Sequence, residues 1–214
     1  LSPVNPGKGT APASGLGAHL LLQADSIQVA NTIAAGSGAL TLLATGAASG
    51  KASGIALQSG ASLEAQGTTV TLGGQPVDTA GGLITLVAQE GSVIMDQAAS
   101  MNVSAAGAQG AGQLSVSATQ GSASLKGALL GQSQTQDLGA SLVVDAQSGI
   151  SLAGIAEAVK GELNFAQQVS LRSRGTDKLT LGSQKAISAA QVSVVNDGGD
   201  ITIQGGLHAD TSTG

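Results

Sequence analysis

Between Leu83 and Ala105 the chain reads LITLVAQEGSVIMDQAASMNVSA. Apolar residues alternate in three short runs: Ile84, Leu86 and Ala88; Val93 and Met95; Met101, Val103 and Ala105. Polar breaks at Gln89–Ser92 and Asp96–Ser100 separate them. A strand turns successive side chains to opposite faces, so each run predicts a short strand with one face buried. Three such strands joined by tight corners make one turn of a coil.

The unit recurs. First runs start at Ile84, Leu114, Leu142, Val169 and Val192, at intervals of 30, 28, 27 and 23 residues. The step from first to second run is steadier, at 9, 9, 8, 10 and 9 residues. Steady strands with drifting loops are the mark of a solenoid, whose loops absorb insertions while strands stay in register. Upstream, Leu20 and Leu22, Ile27 and Val29, and Ile33 and Ala35 fit one coil. Leu40, Leu42 and Ala44, then Ile55 and Leu57, then Leu63 and Ala65 fit the next, with an insertion from Thr45 to Gly54. The 44 residues from Leu40 to Ile84 suit two coils or one with large insertions. Val70 and Leu72 suit either a shortened coil or a fourth side, and Gly73–Gly82, with Pro76, reads as a loop. Gly127–Gly139 is less regular, and Ala156–Val159 suggests one helical turn. Residues 1–17, with Pro3, Pro6 and Pro12, read as an irregular lead-in, and 18–214 as a single repeat region. The pattern predicts an all-β parallel β-helix of about seven to eight coils, each of three short strands. At about 4.8 Å per coil the rod is on the order of 40 Å long.

Composition supports a narrow interior. Phe165 is the only aromatic residue in 214, so the core must be filled by Leu, Val, Ile and Ala. Thirteen acidic against eight basic residues, and no aromatic platforms, argue against a nucleic-acid partner. No cysteine is present, which excludes disulfides and thiolate metal sites. No apolar run is long enough for a transmembrane helix. The start at Leu1 lacks the charged-then-apolar order of a signal peptide, and the chain reads as a segment of something longer.

Candidate chemistry is sparse. Arg172, Arg174, Lys178 and Lys185 hold half of the positive charge, suggesting an anionic-glycan or partner contact. Asn102-Val103-Ser104 is a glycosylation sequon on an outward position. His19 and His208, the only histidines, lie near opposite ends of the sequence, and no metal site is expected from them. Asp197 and Asp200 flank Gly198-Gly199 and read as a tight corner using glycine for positive φ. Glu157 with Glu162, and Glu90 with Asp96, are the only carboxylate pairs to weigh. Carbohydrate-cleaving sites converge several acids, usually beside aromatics. No catalytic set, cofactor site or G-x-S-x-G turn is visible, and an enzyme is not expected.

The alternating runs SLVVDAQSGISL (Ser141–Leu152) and VSVVNDGGDITI (Val192–Ile203) resemble the repeats of filamentous haemagglutinin-type exoproteins, the two-partner secretion adhesins of Gram-negative bacteria. The resemblance covers roughly residues 15–214. It implies a right-handed parallel β-helix, a secreted or cell-surface location, and export through an outer-membrane secretion partner. The family's secretion domain carries an N-P-N-G motif, whereas this chain has Asn5-Pro6-Gly7, which places the segment in the repeat shaft. A shaft supports adhesion, aggregation or biofilm formation and contacts glycans or neighbouring copies. Two other functions fit a β-helix: a self-assembling extracellular filament subunit, and a polysaccharide-active enzyme.

Overall fold

The structure, a computed structural model, describes residues 16–46, 54–135, 137–161 and 163–210. Most of the lead-in with its three prolines, the middle of the Thr45–Gly54 insertion, and Glu162 lie outside the described residues. The first coil holds β1 (His19–Ala24), β2 (Ser26–Val29) and β3 (Thr32–Ala34). The second holds β4 (Ala39–Ala44), β5 (Gly54–Leu57) and β6 (Ser62–Glu64), and is followed by β7 (Thr69–Leu72) and β8 (Gln75–Asp78). The third holds β9 (Leu83–Ala88), β10 (Ser92–Met95) and β11 (Ser100–Asn102). In the fourth, β12 (Gln113–Leu125) runs through the first corner and β13 (Ala128–Leu130) follows. The fifth has β14 (Ser141–Ser148) and then a helix, α1 (Leu152–Ala158). The sixth has β15 (Gln168–Ser173), β16 (Leu179–Leu181) and β17 (Ala186–Ala189). The seventh has β18 (Gln191–Asn196), β19 (Ile201–Ile203) and β20 (Gly206–Ala209).

Among the described residues every strand ladder between coils is parallel, with one isolated antiparallel bridge from Gln132 to Asn164, and the chain is an all-β parallel β-helix. On the first face β1, β4, β9, β12, β14, β15 and β18 follow one another without a gap. Their register aligns Leu20, Leu40, Ile84, Leu114, Leu142, Val169 and Val192 in one inward column. A second column runs Leu22, Leu42, Leu86, Val116, Val144, Leu171 and Val194. These are the positions that the alternation singles out. The other two faces are shorter ladders, β2-β5-β10-β12 and β3-β6-β11-β13, resumed by β16-β19 and β17-β20. Leu40, Leu42, Ile84, Leu114 and Leu142 are fully buried, because coils cover them on both sides. Leu20 and Ile201, in the first and last coils, are 37% and 41% exposed, with a neighbouring coil on one side only.

The interval from Leu40 to Ile84 is one coil with insertions, since β4 pairs directly with β9. Val70 and Leu72 neither start a coil nor add a fourth side. They lie in β7, which folds back antiparallel on β8. Gly73 and Gly74 both have positive φ, 57° and 82°. Two such residues make the two-residue turn whose twist suits a hairpin. Pro76, placed in a loop by its residue type, is instead in β8 opposite Thr71, on an edge where proline is tolerated.

Three glycines form a column of their own at the corner before the first face. A Cβ on Gly38 would lie 2.0 Å from Ala18 O, one on Gly82 2.0 Å from Gly38 O, and one on Gly112 1.7 Å from Gly82 O. The struck oxygens are not free to move: Gly38 O accepts from Leu83 N at 2.8 Å and Gly82 O from Gln113 N at 3.0 Å. The need for glycine here is close approach of backbone to backbone, not a left-handed φ.

Candidate functional site

Among the described residues the repeat breaks in the fifth coil, where the second-face strand is replaced by α1. Ile150 and Leu152 sit at the expected second-run spacing but do not form a strand. Ser151 is extended (φ −105°, ψ 106°), and its hydroxyl accepts from Gly154 N at 3.1 Å, capping the helix. Leu152, Ile155 and Ala156 follow at i, i+3 and i+4, and all three are buried. Seven residues are too few for a stable isolated helix, so α1 exists by packing on the columns of its neighbours. The helix begins earlier than Ala156 because this cap and Leu152 start it.

Two adjacent residues stand in for the missing third-face strand. Asn164 is nearly buried; its Oδ1 accepts from Gly131 N at 2.7 Å, and its Nδ2 donates to Ala158 O at 3.3 Å and Leu129 O at 3.5 Å. It thus ties the end of α1 to β13. Phe165 is fully buried with φ 45°, and its ring lies where a Cβ on Gly131 would meet it at 3.1 Å. The single aromatic fills the wider space that a strand of small residues would leave. Both residues escape a reading by alternation; the one signal is that the only aromatic falls between the suggested helical turn and the first run of the next coil.

Between α1 and the ends of β12 and β13 a cleft of about 690 Å³ opens. Leu125, Leu130, Ile150 and Ile155 line it, with Lys126, Glu157 and Lys160 at its rim. Glu157 accepts from Lys160 Nζ at 3.0 Å and from Lys185 Nζ across to the sixth coil. Lys185 and then Lys160 hold its carboxyl below the usual carboxylate range. Glu162, its sequence-level partner, lies outside the described residues. Glu90 and Asp96 lie on either side of β10, on successive corners of the third coil.

Three of the four cations are held in ion pairs within the chain. Arg172 Nη2 pairs with Asp197 at 2.9 Å. Arg174 grips Asp145 in a fork, Nε to Oδ1 at 2.6 Å and Nη2 to Oδ2 at 2.8 Å. Lys185 is on Glu157, and Lys178 alone makes no ion pair with a described residue. The hydrogen bond from Arg174 is the largest cause holding the Asp145 carboxyl below its ordinary value; burial opposes it. A carboxylate with a depressed folded pKa contributes stability above its unfolded pKa and loses it as pH falls through the folded value. The contribution of this pair is therefore present at neutral pH and is lost below about pH 4. Urea midpoints measured from pH 7 to pH 2 should show an acid-side drop that is smaller in Asp145→Asn.

Asn102 faces outward between Met101 and Val103, as the alternation requires, and is half-buried. Its Nδ2, the atom a glycan would occupy, donates to Gln66 Oε1, and its Oδ1 accepts from Ser104 N at 2.9 Å. His19 and His208 lie in the first and last coils. Among the described residues no three His, Asp or Glu side chains converge as a metal site. The corner at Asn196–Asp200 is tight, but Gly198 and Gly199 do not have positive φ. Gly199 is needed because a Cβ there would lie 2.5 Å from Asp177 O in the sixth coil. Asn196 Nδ2 closes the corner, donating to Asp177 O at 2.8 Å and Asp200 O at 3.1 Å.

No helix among the described residues is long and apolar enough to cross a membrane. Comparison with known proteins found no matching family model, no matching curated protein and no matching solved structure.

Proposed function

We propose that this chain is a shaft segment of a large secreted or cell-surface adhesin of the filamentous haemagglutinin type, whose stacked coils hold a binding tip away from the cell. The observation that carries the reading is the unbroken first-face ladder, which passes from β1 to β18 through the fifth coil despite the helix there. A continuous parallel ladder transmits position along its axis, and its length is set by coil number. The inward columns are occupied by packing. The outward residues of β4, β9, β12 and β14 include Thr41, Leu43, Thr85, Val87, Ser115, Ser117, Val143 and Asp145, which offer no common chemistry for a ligand. The carboxylates argue against a polysaccharide-cleaving enzyme, since Asp145 on β14 and Glu157 on α1 are each held by cations of this chain.

The register supplies a clean test. Leu83 and Gln113 are pairing partners, so deleting Leu83–Gly112 removes one whole coil and joins β4 to β12 in register. In the protein as secreted, this deletion should leave export and adhesion intact and shorten the shaft by about 4.8 Å. Loss of adhesion by a protein that is still exported and folded would show that the coil itself binds, against the shaft reading.

A further inference from the structure

We propose that the cleft beside α1 receives an extended, acid-flanked peptide segment of another protein, which adds as a strand to the open edge of β12. The proposal stands independently of the shaft reading. On the second face β2, β5 and β10 are each followed by a strand of the next coil; β12 is not. Its far end pairs with β10 alone, Val93 with Ala123, Ile94 with Ser124 and Met95 with Leu125. On the other side β14 accompanies it only to Ser122, opposite Ser148, before the chain turns away at Gly149 with φ 81°.

The backbone alternation fixes which groups face the gap. Lys126 N donates to Met95 O at 3.2 Å, so Lys126 and Ser124 turn their peptide groups toward β10. Leu125 therefore turns its N–H and C=O toward the cleft, where no strand receives them. Beyond the corner the edge is covered by the chain itself, since Gly131 N donates to Asn164 Oδ1 at 2.7 Å and Ser133 N to Leu163 O at 3.1 Å. Ala128 N donates to Ala99 O and Leu130 O accepts from Val103 N, so Leu129 faces away from β11. Its carbonyl is met there by the 3.5 Å contact from Asn164. An open strand edge on an apolar floor is the arrangement that strand addition uses: main-chain bonds give affinity and alternate side chains enter the groove.

The surroundings select the occupant. Leu125, Ile150 and Ile155 offer apolar contacts for alternate side chains. Phe165 is buried and does not line the cleft, so no aromatic ring is present to stack on a sugar. At the rim Glu157 is shared by Lys160 and Lys185, while Lys126 makes no ion pair with a described residue. Among the described residues the rim is positive in balance and matches a segment with acidic flanks.

A fluorescein-labelled peptide EGSVIMDQ, which copies Glu90–Gln97 and so the strand already on the opposite edge of β12, is the probe. Anisotropy should saturate at a Kd below about 1 mM. Hydrogen exchange at the Leu125 amide should slow about tenfold on saturation, because a free edge amide becomes bonded. Peptides N-methylated on one alternate set of residues should bind about tenfold more weakly, and those methylated on the other set should bind as the parent does. Absence of saturation by a folded protein, equal binding of both methylated sets, or binding without protection of Leu125 would overturn the proposal. Displacement of the probe by a short fatty acid with no methylation effect would mean that the cleft takes an amphiphile, which also overturns it.

Discussion

Gly112→Ala is expected to destabilise the protein by about 3 kcal/mol, near the upper end for forcing an added carbon into a packed site. The new Cβ would stand 1.7 Å from Gly82 O and 2.7 Å from Gly82 C. Neither atom belongs to a flexible side chain. Moving Gly82 O breaks its bond from Gln113 N, and moving the fourth coil instead breaks the bond from Ser141 N to Gly112 O, also 3.0 Å. The disturbance falls at the head of the first-face ladder, which every coil shares. Chemical denaturation followed by circular dichroism checks the size of the effect. Gly110→Ala is the control, since nothing lies within 4 Å of a Cβ there; it should stay within about 0.5 kcal/mol of the parent.

Phe165→Ala is expected to cost about 4 kcal/mol, within the range for removing a buried Phe. The loss should also be local. Phe165 fills the coil that lacks strands on two faces, so the cavity would form where only the first-face ladder from β14 to β15 joins the two halves of the stack by strand pairing. Hydrogen exchange should therefore rise first in α1, β16 and β17, while β9 and β10 stay protected. A uniform rise through all coils would show that the fifth coil is no weaker than the others. Asn164→Ala should act in the same region, because it leaves Gly131 N, now bonded at 2.7 Å, without its acceptor.

The first-face positions were legible, but not that Leu40 pairs directly with Ile84, since the interval between them suited two coils as well as one. Leu40, Ile84, Leu114, Leu142, Val169 and Val192 start runs in the sequence and pair in the structure. They were legible because inward positions must be apolar in every coil and only two or three residues wide. The hairpin was not, since Val70 and Leu72 alternate like any other run; the two adjacent glycines that reverse the chain carry the distinction. The helix was half legible. Its apolar residues also satisfy a strand spacing, and only the Ser151 cap separates the alternatives.

The candidate site was the least legible part. Arg172 and Arg174 looked like a basic cluster because they are close in sequence. Their partners Asp197 and Asp145 are 25 and 29 residues away. Those separations are close to one coil, so in a solenoid the residues one period distant decide whether a charge is free. The cleft depends on a strand that is missing, and a missing partner leaves no mark on the strand that lacks it.

The absence of cysteine allows the stack itself to be tested by disulfide trapping. Thr41 pairs with Thr85, Thr85 with Ser115, and Ser115 with Val143, all on outward positions. Neighbouring strands lie about 4.8 Å apart, inside the Cα range a disulfide spans, whereas a two-residue offset exceeds about 7 Å. Cysteine pairs at Thr41/Thr85, Thr85/Ser115 and Ser115/Val143 should oxidise completely in the folded protein, and the offset pairs Thr41/Val87 and Thr85/Ser117 should remain thiols. In-register pairs that stay reduced, or offset pairs that oxidise as readily, would contradict the seven-coil stack.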